Sequence, residues 1–212
     1  MTRERGRFFV VEGGEGTGKS THCAALADWL RSAGRTVTMT REPGGSPLAE
    51  ALRDVFLRDW PEGVGPKTET LVVFAARDAH LRTTIVPALR AGHDVVCDRF
   101  IDSSYAYQGA GRGMPANVMQ TLEHWVLDGL QPDLTFVLDL PPGEGLRRTR
   151  HRGNENRFEH EQLEFLQRVR RAYLRRAERF PARYVVIDAA RSIQDVQDAM
   201  RGAITRRWAQ CE

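Results

Sequence analysis

The chain contains almost no lysine. Of its 31 basic lysine and arginine residues, only Lys19 and Lys67 are lysines, and the other 29 are arginines. This usage indicates a genome whose coding favours arginine over lysine. A lysine kept against that background suggests a chemical requirement.

Cysteine and long apolar runs are also scarce. The three cysteines, Cys23, Cys97 and Cys211, are too few and too widely spaced for a disulfide framework or a zinc site. No run reaches the roughly 18 apolar residues of a spanning helix, and no secretory apolar segment is present. We therefore expect a reduced, cytoplasmic protein with no membrane partner. The net charge of +3 points only weakly to phosphate-bearing partners.

Short apolar runs alternate with longer segments of helical periodicity. The predicted strands are Phe8–Val11, Thr36–Thr40 (the weakest), Val95–Cys97, Leu134–Leu138 and Tyr184–Ile187. The predicted helices are Ser20–Arg31, Leu48–Leu57, Leu71–Leu89, Val118–Leu127, Leu163–Arg176 and Ile193–Ile204. This alternation predicts an α/β fold with a central five-stranded parallel sheet flanked by helices, in one domain over residues 1–212.

Two segments interrupt this pattern. Pro87 should end or kink the helix that contains it, because proline lacks a backbone N–H. Residues 147–157, RRTRHRGNENR, carry five arginines and almost nothing apolar, so they predict an exposed loop or flap. We expect a mobile arginine-rich lid at about residues 145–160.

A phosphate-binding motif lies between the first strand and the first helix. Gly13, four further residues, Gly18, Lys19 and Ser20 fit the pattern G-x-x-x-x-G-K-[ST]. Glycines let the backbone turn and present N–H groups to an anion, and the helix directs its positive end there. Lys19 adds a charge that follows the phosphate, and Ser20 offers a hydroxyl to Mg²⁺. The predicted phosphate-binding residues are Gly13, Gly14, Glu15, Gly16, Thr17, Gly18, Lys19, Ser20 and Thr21.

The class of nucleotide-binding protein follows from what surrounds this motif. A GTPase needs a guanine-reading Asn/Thr-Lys-x-Asp stretch, and neither lysine lies in one. A small fold with an arginine-rich flap favours a nucleotide kinase, because arginines and Mg²⁺ stabilise a phosphoryl group in transfer. Two alternatives stay open: a kinase of deoxynucleosides, and an ATP-regulated nucleic-acid binder using residues 147–157 and 168–179.

Five further motifs follow in a family-specific order. They are TREPGG (40–45), FAAR (74–77), CDRF (97–100), SSYAYQGAGRG (103–113) and the arginine-rich flap. With the phosphate-binding motif they resemble thymidylate kinase over nearly the whole chain. The resemblance implies the nucleoside monophosphate kinase fold, transfer of the γ-phosphoryl group of ATP to dTMP with Mg²⁺, and no nucleic-acid partner. It also implies a homodimer, through Leu71–Leu89 and Val118–Leu127.

The resemblance further implies an acceptor site. Its residues would be Glu15, Arg41, Pro43, Arg53, Phe74, Arg77, Arg99, Ser104, Tyr107 and Gln108. Arg99 would clamp the acceptor phosphate, and Asp98 would orient Arg99 or hold Mg²⁺ together with Ser20. Phe74 would stack on thymine, although many members carry that phenylalanine at the position of Val73. Tyr107 would crowd a 2′-hydroxyl and so favour deoxyribose.

The flap decides the subtype. The loop GGEGTGKS contains no arginine, whereas the flap contains several, so the sequence resembles the bacterial type with lid arginines. Arg152 is the first candidate for the catalytic arginine, followed by Arg148 and Arg157. Arg191, after the last strand, would lie against adenine. The expected catalytic set is Glu15, Lys19, Asp98, Arg99 and Arg152.

Overall fold

The computed structural model describes residues 5–150, 158 and 161–208, and its centre is a sheet of five parallel strands. The strands are β1 (Phe8–Gly13), β2 (Val37–Arg41), β3 (Asp94–Asp98), β4 (Leu134–Asp139) and β5 (Tyr184–Asp188). Their order is β2-β3-β1-β4-β5, so β1 is central. The predicted parallel sheet is confirmed. Ligands of such sheets bind beyond the carboxyl ends of the strands, where β1 and β3 end.

Nine α-helices flank this sheet in the described ranges. They are α1 (Lys19–Ser32), α2 (Pro47–Leu57), α3 (Pro66–His80), α4 (Val86–Arg90), α5 (Ile101–Ser104), α6 (Ala116–Leu127), α7 (Pro142–Arg150), α8 (Leu163–Arg179) and α9 (Ile193–Trp208). Along β1, Phe9 and Val11 pack towards α1 and α9, while Phe8 and Val10 pack towards the segment after α3. This alternation buries both faces of the central strand.

The helix predicted over Leu71–Leu89 is interrupted before Pro87 and does not end there. Between α3 and α4 the backbone forms a π-helical segment, Leu81–Ile85, and Pro87 lies at the start of α4. The wider π turn accommodates a proline that would disrupt an ordinary α-helix. Helical structure therefore continues past Pro87.

Three helical segments were not predicted, namely α5, α7 and the run Tyr105–Gly111. Residues 147–150 belong to the end of α7, so the expected loop over 147–157 is wrong at its start, and residues 151–157 lie outside the described residues. The glycine-rich run Tyr105–Gly111 is π-helical. Gly111 is needed there because a Cβ would lie 2.6 Å from the Phe165 ring of α8.

The two described cysteines, Cys23 and Cys97, are free and buried, and burial raises the pKa of both thiols. Among the residues that the structure describes, no helix combines the length and the apolar character needed to cross a bilayer.

Candidate active site

The loop between β1 and α1 has the backbone of a phosphate-binding loop. Gly13, Gly16 and Gly18 have φ values of 147°, 72° and 81°, which a side chain would strain. Gly18 is the N-cap of α1, so the positive end of the helix points into the loop. The Lys19 ammonium group donates to the carbonyl oxygen of Gly14 at 2.7 Å, and burial lowers its pKa.

This loop also touches the helix that leads to the expected lid. A Cβ on Gly16 would lie 2.2 Å from the carbonyl oxygen of Gly145, and a Cβ on Gly145 would lie 2.3 Å from that of Glu15. Only two glycines allow the backbones of the loop and α7 to come this close. The phosphate-binding loop and the start of the lid region are therefore in direct backbone contact.

Ser20 and Asp98 meet at the carboxyl edge of the sheet. The Ser20 hydroxyl donates to Asp98 Oδ2 at 2.6 Å, although the two residues are 78 positions apart. A hydroxyl and one carboxylate next to bound phosphates fit Mg²⁺, which takes few protein ligands and completes its shell with phosphate oxygens and water. No group of three or more possible metal-ligating side chains occurs among the described residues.

Arg99 follows β3 in a left-handed backbone conformation, with φ of 69°. Its guanidinium donates to Glu15 Oε1 at 2.8 Å and to the Tyr173 hydroxyl and the Gly13 carbonyl, each at 3.2 Å. Burial opposes ionisation of Glu15, but Arg99 and Lys19 outweigh it and lower the pKa of that carboxyl. Glu15 is therefore anionic and pairs with Arg99 in the loop.

Glu12 was not predicted as a functional residue. Its fully buried carboxylate accepts the backbone N–H of Phe100 at 2.8 Å, and the N–H and hydroxyl of Ser103 at 3.2 and 2.7 Å. It thereby fixes the turn that presents Arg99. Burial, and then the charge of Asp102, raise the pKa of Glu12 to about 7. Its sequence signal is an acidic residue directly after an apolar run of strand residues.

Arg77 lines the same cleft as the phosphate-binding loop and is 1% exposed. Its Nε donates to Glu42 Oε2 at 2.7 Å, and its Nη2 donates to the Phe100 carbonyl and the Ser104 hydroxyl at 3.0 Å. Within the described part of the chain, its Nη1 has no hydrogen-bond partner. Because Arg77 lines the cleft, this buried donor is suited to a carbonyl group on a ligand.

Phe74 lies elsewhere than the stacking prediction requires. Its ring is 2% exposed and packs in the core with Phe8, Phe100 and other apolar side chains, whereas Val73 lines the cleft. Adjacent positions of a helix point about 100° apart, so Phe74 is turned away from the cleft that Val73 lines. The Arg77 guanidinium lies over the Phe74 ring, 4.9 Å from its centroid. The aromatic residues that line the cleft are Phe56, Phe100, Tyr107 and Phe158, and only Tyr107 was predicted as a site residue.

The other predicted base and sugar residues lie together. Ser104, Tyr107 and Gln108 all line the cleft and are less than a tenth exposed. The Tyr107 hydroxyl donates to Glu15 Oε1 at 2.9 Å, and the Gln108 amide donates to Glu69 Oε1 at 2.7 Å. Their spacing of three and four residues along continuous helical backbone brings these side chains to one face.

The TREPGG region and α2 also line this cleft, and Arg41, Pro43 and Arg53 are among the residues that they contribute. Arg53 donates to the Pro43 carbonyl at 2.8 Å, and Arg41 pairs with Glu50 at 2.9 Å. Burial, and then repulsion from Arg41, lower the pKa of Arg53. Arg41 and Arg53 therefore form a concentration of positive charge beside Arg99.

The predicted lid and adenine residues fall partly outside the cleft. Arg148 donates to the Ala189 carbonyl at 2.9 Å and to Glu144 at 2.8 Å, and so joins α7 to the loop after β5. Arg191, on that loop, is half exposed and lies 3.7 Å from Asp195. Neither residue lines the cleft. Arg152 and Arg157 lie outside the described residues.

The cleft has a volume of about 540 Å³, and its walls include Lys19 and Ser20 of the loop and Arg77 of α3. Further cationic groups, together with aromatic and polar side chains, also line it. A phosphate-binding loop and a group of arginines in one cleft define a P-loop kinase whose second substrate is a phosphorylated small molecule.

Comparison with known proteins narrows this class. The model of the thymidylate kinase family matches residues 11–200. The chain is similar to thymidylate kinases of Pseudomonas fluorescens, at 52% identity over 92% of this chain and 93% of the relative, and of Nitrosospira multiformis, at 47% over 97% and 100%. The crystal structure of thymidylate kinase from Ehrlichia chaffeensis has a TM-score of 0.78 at 31% identity, covering 95% and 99%. The chain belongs to the thymidylate kinase family.

Proposed function

We propose that the protein transfers the γ-phosphoryl group of ATP to dTMP and forms dTDP. The observation that carries this proposal is one cleft that joins a phosphate-binding loop, a group of arginines and the free Nη1 of Arg77. The similarity to thymidylate kinases, which spans 92% or more of the chain, supports the same reaction. Alternatives without an acceptor phosphate give Arg41, Arg53 and Arg99 no anionic ligand to bind in the cleft.

The donor side holds ATP through its phosphates. Backbone N–H groups of residues 13–18, the N-terminus of α1 and Lys19 bind the β- and γ-phosphates. Ser20 and Asp98 would hold Mg²⁺ against these phosphates. When bound, the ion neutralises charge that develops on the transferred group.

On the acceptor side, Arg99, Arg41 and Arg53 bind the dTMP phosphate and turn it towards the γ-phosphate. A guanidinium suits this task because its planar fork can pair with two phosphate oxygens. Glu15 holds Arg99 in place until the dTMP phosphate competes for the Arg99 guanidinium. The Glu15 carboxylate can then accept a hydrogen bond from the 3′-hydroxyl of dTMP. The reaction needs no strong base, since positioning and charge stabilisation carry phosphoryl transfer.

The base binds in the part of the cleft that Arg77, Ser104 and Gln108 line. Arg77 Nη1 donates to a pyrimidine carbonyl, Gln108 and Ser104 add polar contacts, and Phe56 and Val73 pack against the ring. Tyr107 lies between base and loop, where it leaves little room for a 2′-hydroxyl. These contacts favour a thymine deoxynucleotide over a purine.

The segment after α7 supplies a lid whose Arg152 stabilises the transferred group, with Arg148 on the ATP side. We also propose a cytoplasmic homodimer. The exposed Leu71 of α3 and Trp125 of α6, at 60% and 78% exposure, support its interface on this pair of helices.

A coupled assay of ADP formation over a panel of nucleoside monophosphates, thymidine and single-stranded DNA tests the proposal. We expect turnover to be fastest with dTMP, to require Mg²⁺, and to fall by orders of magnitude in Lys19→Ala with an unchanged circular dichroism spectrum. Faster turnover with AMP, GMP, CMP or thymidine than with dTMP would contradict the assignment of dTMP as the substrate. Tight, salt-sensitive DNA binding without dTMP turnover would favour the nucleic-acid binder.

A further inference from the structure

A chain of buried polar groups lies behind Arg77. Glu42 uses one carboxylate oxygen for Arg77 Nε, at 2.7 Å, and the other for the ring Nδ1 of His80, at 3.2 Å. The other ring nitrogen, Nε2, lies 2.7 Å from the Thr40 hydroxyl. Three elements contribute: the end of β2, the turn that follows it and the last residue of α3. The contacts run without a gap from strand β2 to the guanidinium of Arg77, which lines the cleft.

The chemistry of these groups gives the chain a direction. Because a carboxylate only accepts hydrogen bonds, Nδ1 of His80 carries the hydrogen that reaches Glu42. In the neutral ring Nε2 is then an acceptor, and the Thr40 hydroxyl donates to it. His80 is 0% exposed and Glu42 is 4% exposed, so water cannot replace a lost contact easily.

Packing holds the ring in this orientation. A Cβ on Gly45 would lie 2.3 Å from His80 Nε2 and 2.4 Å from the Thr40 hydroxyl, so the TREPGG turn closes directly over their contact. The Thr84 hydroxyl donates to the Gly45 carbonyl at 2.7 Å and fixes the turn from the other side. The same turn carries Arg41 and Pro43 into the cleft.

We propose that His80 and Thr40 are positioning residues that set the acceptor specificity of the enzyme. They orient Glu42, which orients Arg77 so that its free Nη1 faces a carbonyl on the bound pyrimidine. Neither His80 nor Thr40 lines the cleft, and both act through Arg77. This inference rests on the proposed function, because it concerns how the same site chooses its base.

The central experiment compares two amides at position 80. The amide nitrogen of asparagine takes the place of ring Nδ1 and can still donate to Glu42, whereas that of glutamine takes the place of Nε2 and cannot. We expect His80→Gln to raise the KM for dTMP about tenfold and to lower the preference for dTMP over dCMP about tenfold. The kcat and the KM for ATP should change less than about twofold, and His80→Asn should recover most of the loss.

A milder pair tests the far end of the chain and keeps the proposal testable if position 80 does not tolerate change. Thr40→Val removes one hydroxyl at nearly constant volume, and Thr38→Val does the same on the same face of β2. We expect Thr40→Val to raise the KM for dTMP about threefold with a matching loss of preference over dCMP. Thr38→Val should behave as wild type.

The outcomes separate a positioning role from a structural one. The proposal is supported if His80→Asn recovers most of the KM for dTMP and of the preference over dCMP. It is also supported if Thr40→Val loses this preference and Thr38→Val does not. If asparagine performs no better than glutamine, or if all kinetic constants decline together, the proposal is wrong. Should both position-80 variants fail to fold, equal behaviour of the two valine variants overturns it.

A measurement without substrate separates this inference from the proposed function. The ring ¹⁵N NMR signals of His80, assigned by their loss in His80→Asn, should show hydrogen on Nδ1. Hydrogen on Nε2 alone would refute the chain of contacts and leave the dTMP kinase activity unaffected. Absence of wild-type turnover with dTMP would refute the proposed function instead.

Discussion

Glu12 links the active-site turn to pH. In the folded protein its pKa is about 7, above its ordinary value of 4.5, so the native state keeps a proton that the unfolded state loses between these values. This contribution to stability is present below about pH 4.5 and is lost as the pH rises to about 7. Asp102 and Arg99 are the charged neighbours that bear on this pKa.

We therefore expect Glu12→Gln to flatten the pH dependence of stability. Urea unfolding between pH 4.5 and 8 should show wild type losing roughly 3 kcal/mol relative to the variant across this range. Because all other titrating groups are shared, the difference isolates Glu12. Two curves that stay parallel over the range would contradict this prediction.

The lid arginines differ in what they are expected to contact. Arg152→Ala should lower kcat about 100-fold and change dTMP binding little, because its contact forms mainly in the transition state. Arg148→Ala, which removes a contact between α7 and Ala189, should mainly raise the KM for ATP. Steady-state kinetics with calorimetric dTMP binding distinguish the two. Unchanged turnover in Arg152→Ala would move the catalytic role to another lid arginine.

At the same scale, the sequence predicted which loop and arginine residues lie together better than it predicted the aromatic residues of the cleft. Gly13 to Ser20 and Arg99 follow from fixed local spacing, and the structure brings them together. Phe74 could not be assigned, because a small helical rotation decides whether position 73 or 74 faces the cleft, and only packing sets that rotation. Phe56 was missed because α2 reaches the cleft only through tertiary packing.

Among the elements, α7 and the phosphate-binding loop depend on one close backbone approach. Gly145→Ala places a methyl group 2.3 Å from the Glu15 carbonyl, so the helix or the loop must shift. We expect a loss of about 1–3 kcal/mol in stability and a fall of at least tenfold in kcat/KM for ATP. Thermal unfolding and steady-state kinetics measure the two effects.

Gly143 provides the matched control on the same helix. A Cβ there meets nothing within 4 Å, and alanine favours a helix over glycine by about 1 kcal/mol. Gly143→Ala should therefore leave kcat/KM unchanged and stability equal or higher. Equal losses in both variants would show that glycine in α7 matters for its flexibility, not for the close approach.

Most elements were predictable because burial leaves a periodic pattern. The central strands read as continuous apolar runs, while β2 was weaker because its residues are only half-buried or exposed. Helix α7 and the turn 105–111 were missed since arginine-rich and glycine-rich runs indicate loops. The structure holds them helical through contacts distant in sequence, such as that between Gly111 and Phe165.

For the whole molecule, the expected homodimer is the property most open to test. Light scattering after size exclusion should give twice the chain mass of 24.0 kDa. Trp125→Glu, which places a charge on the exposed face of α6, should give the mass of one chain. Ile193→Glu, at 60% exposure on α9, should leave the mass doubled. A single-chain mass for wild type, or dissociation in both variants, would contradict the proposed interface.

The crowding of Arg41, Arg53 and Arg99 around one cleft has a consequence for the life of the protein in the cell. Like charges held close together oppose the compact state, and a phosphorylated metabolite relieves that strain only while the chain is folded. Substrate supply and resistance to proteolysis should therefore rise and fall together. A cell that is short of the phosphorylated substrate would therefore contain less of the enzyme that uses it.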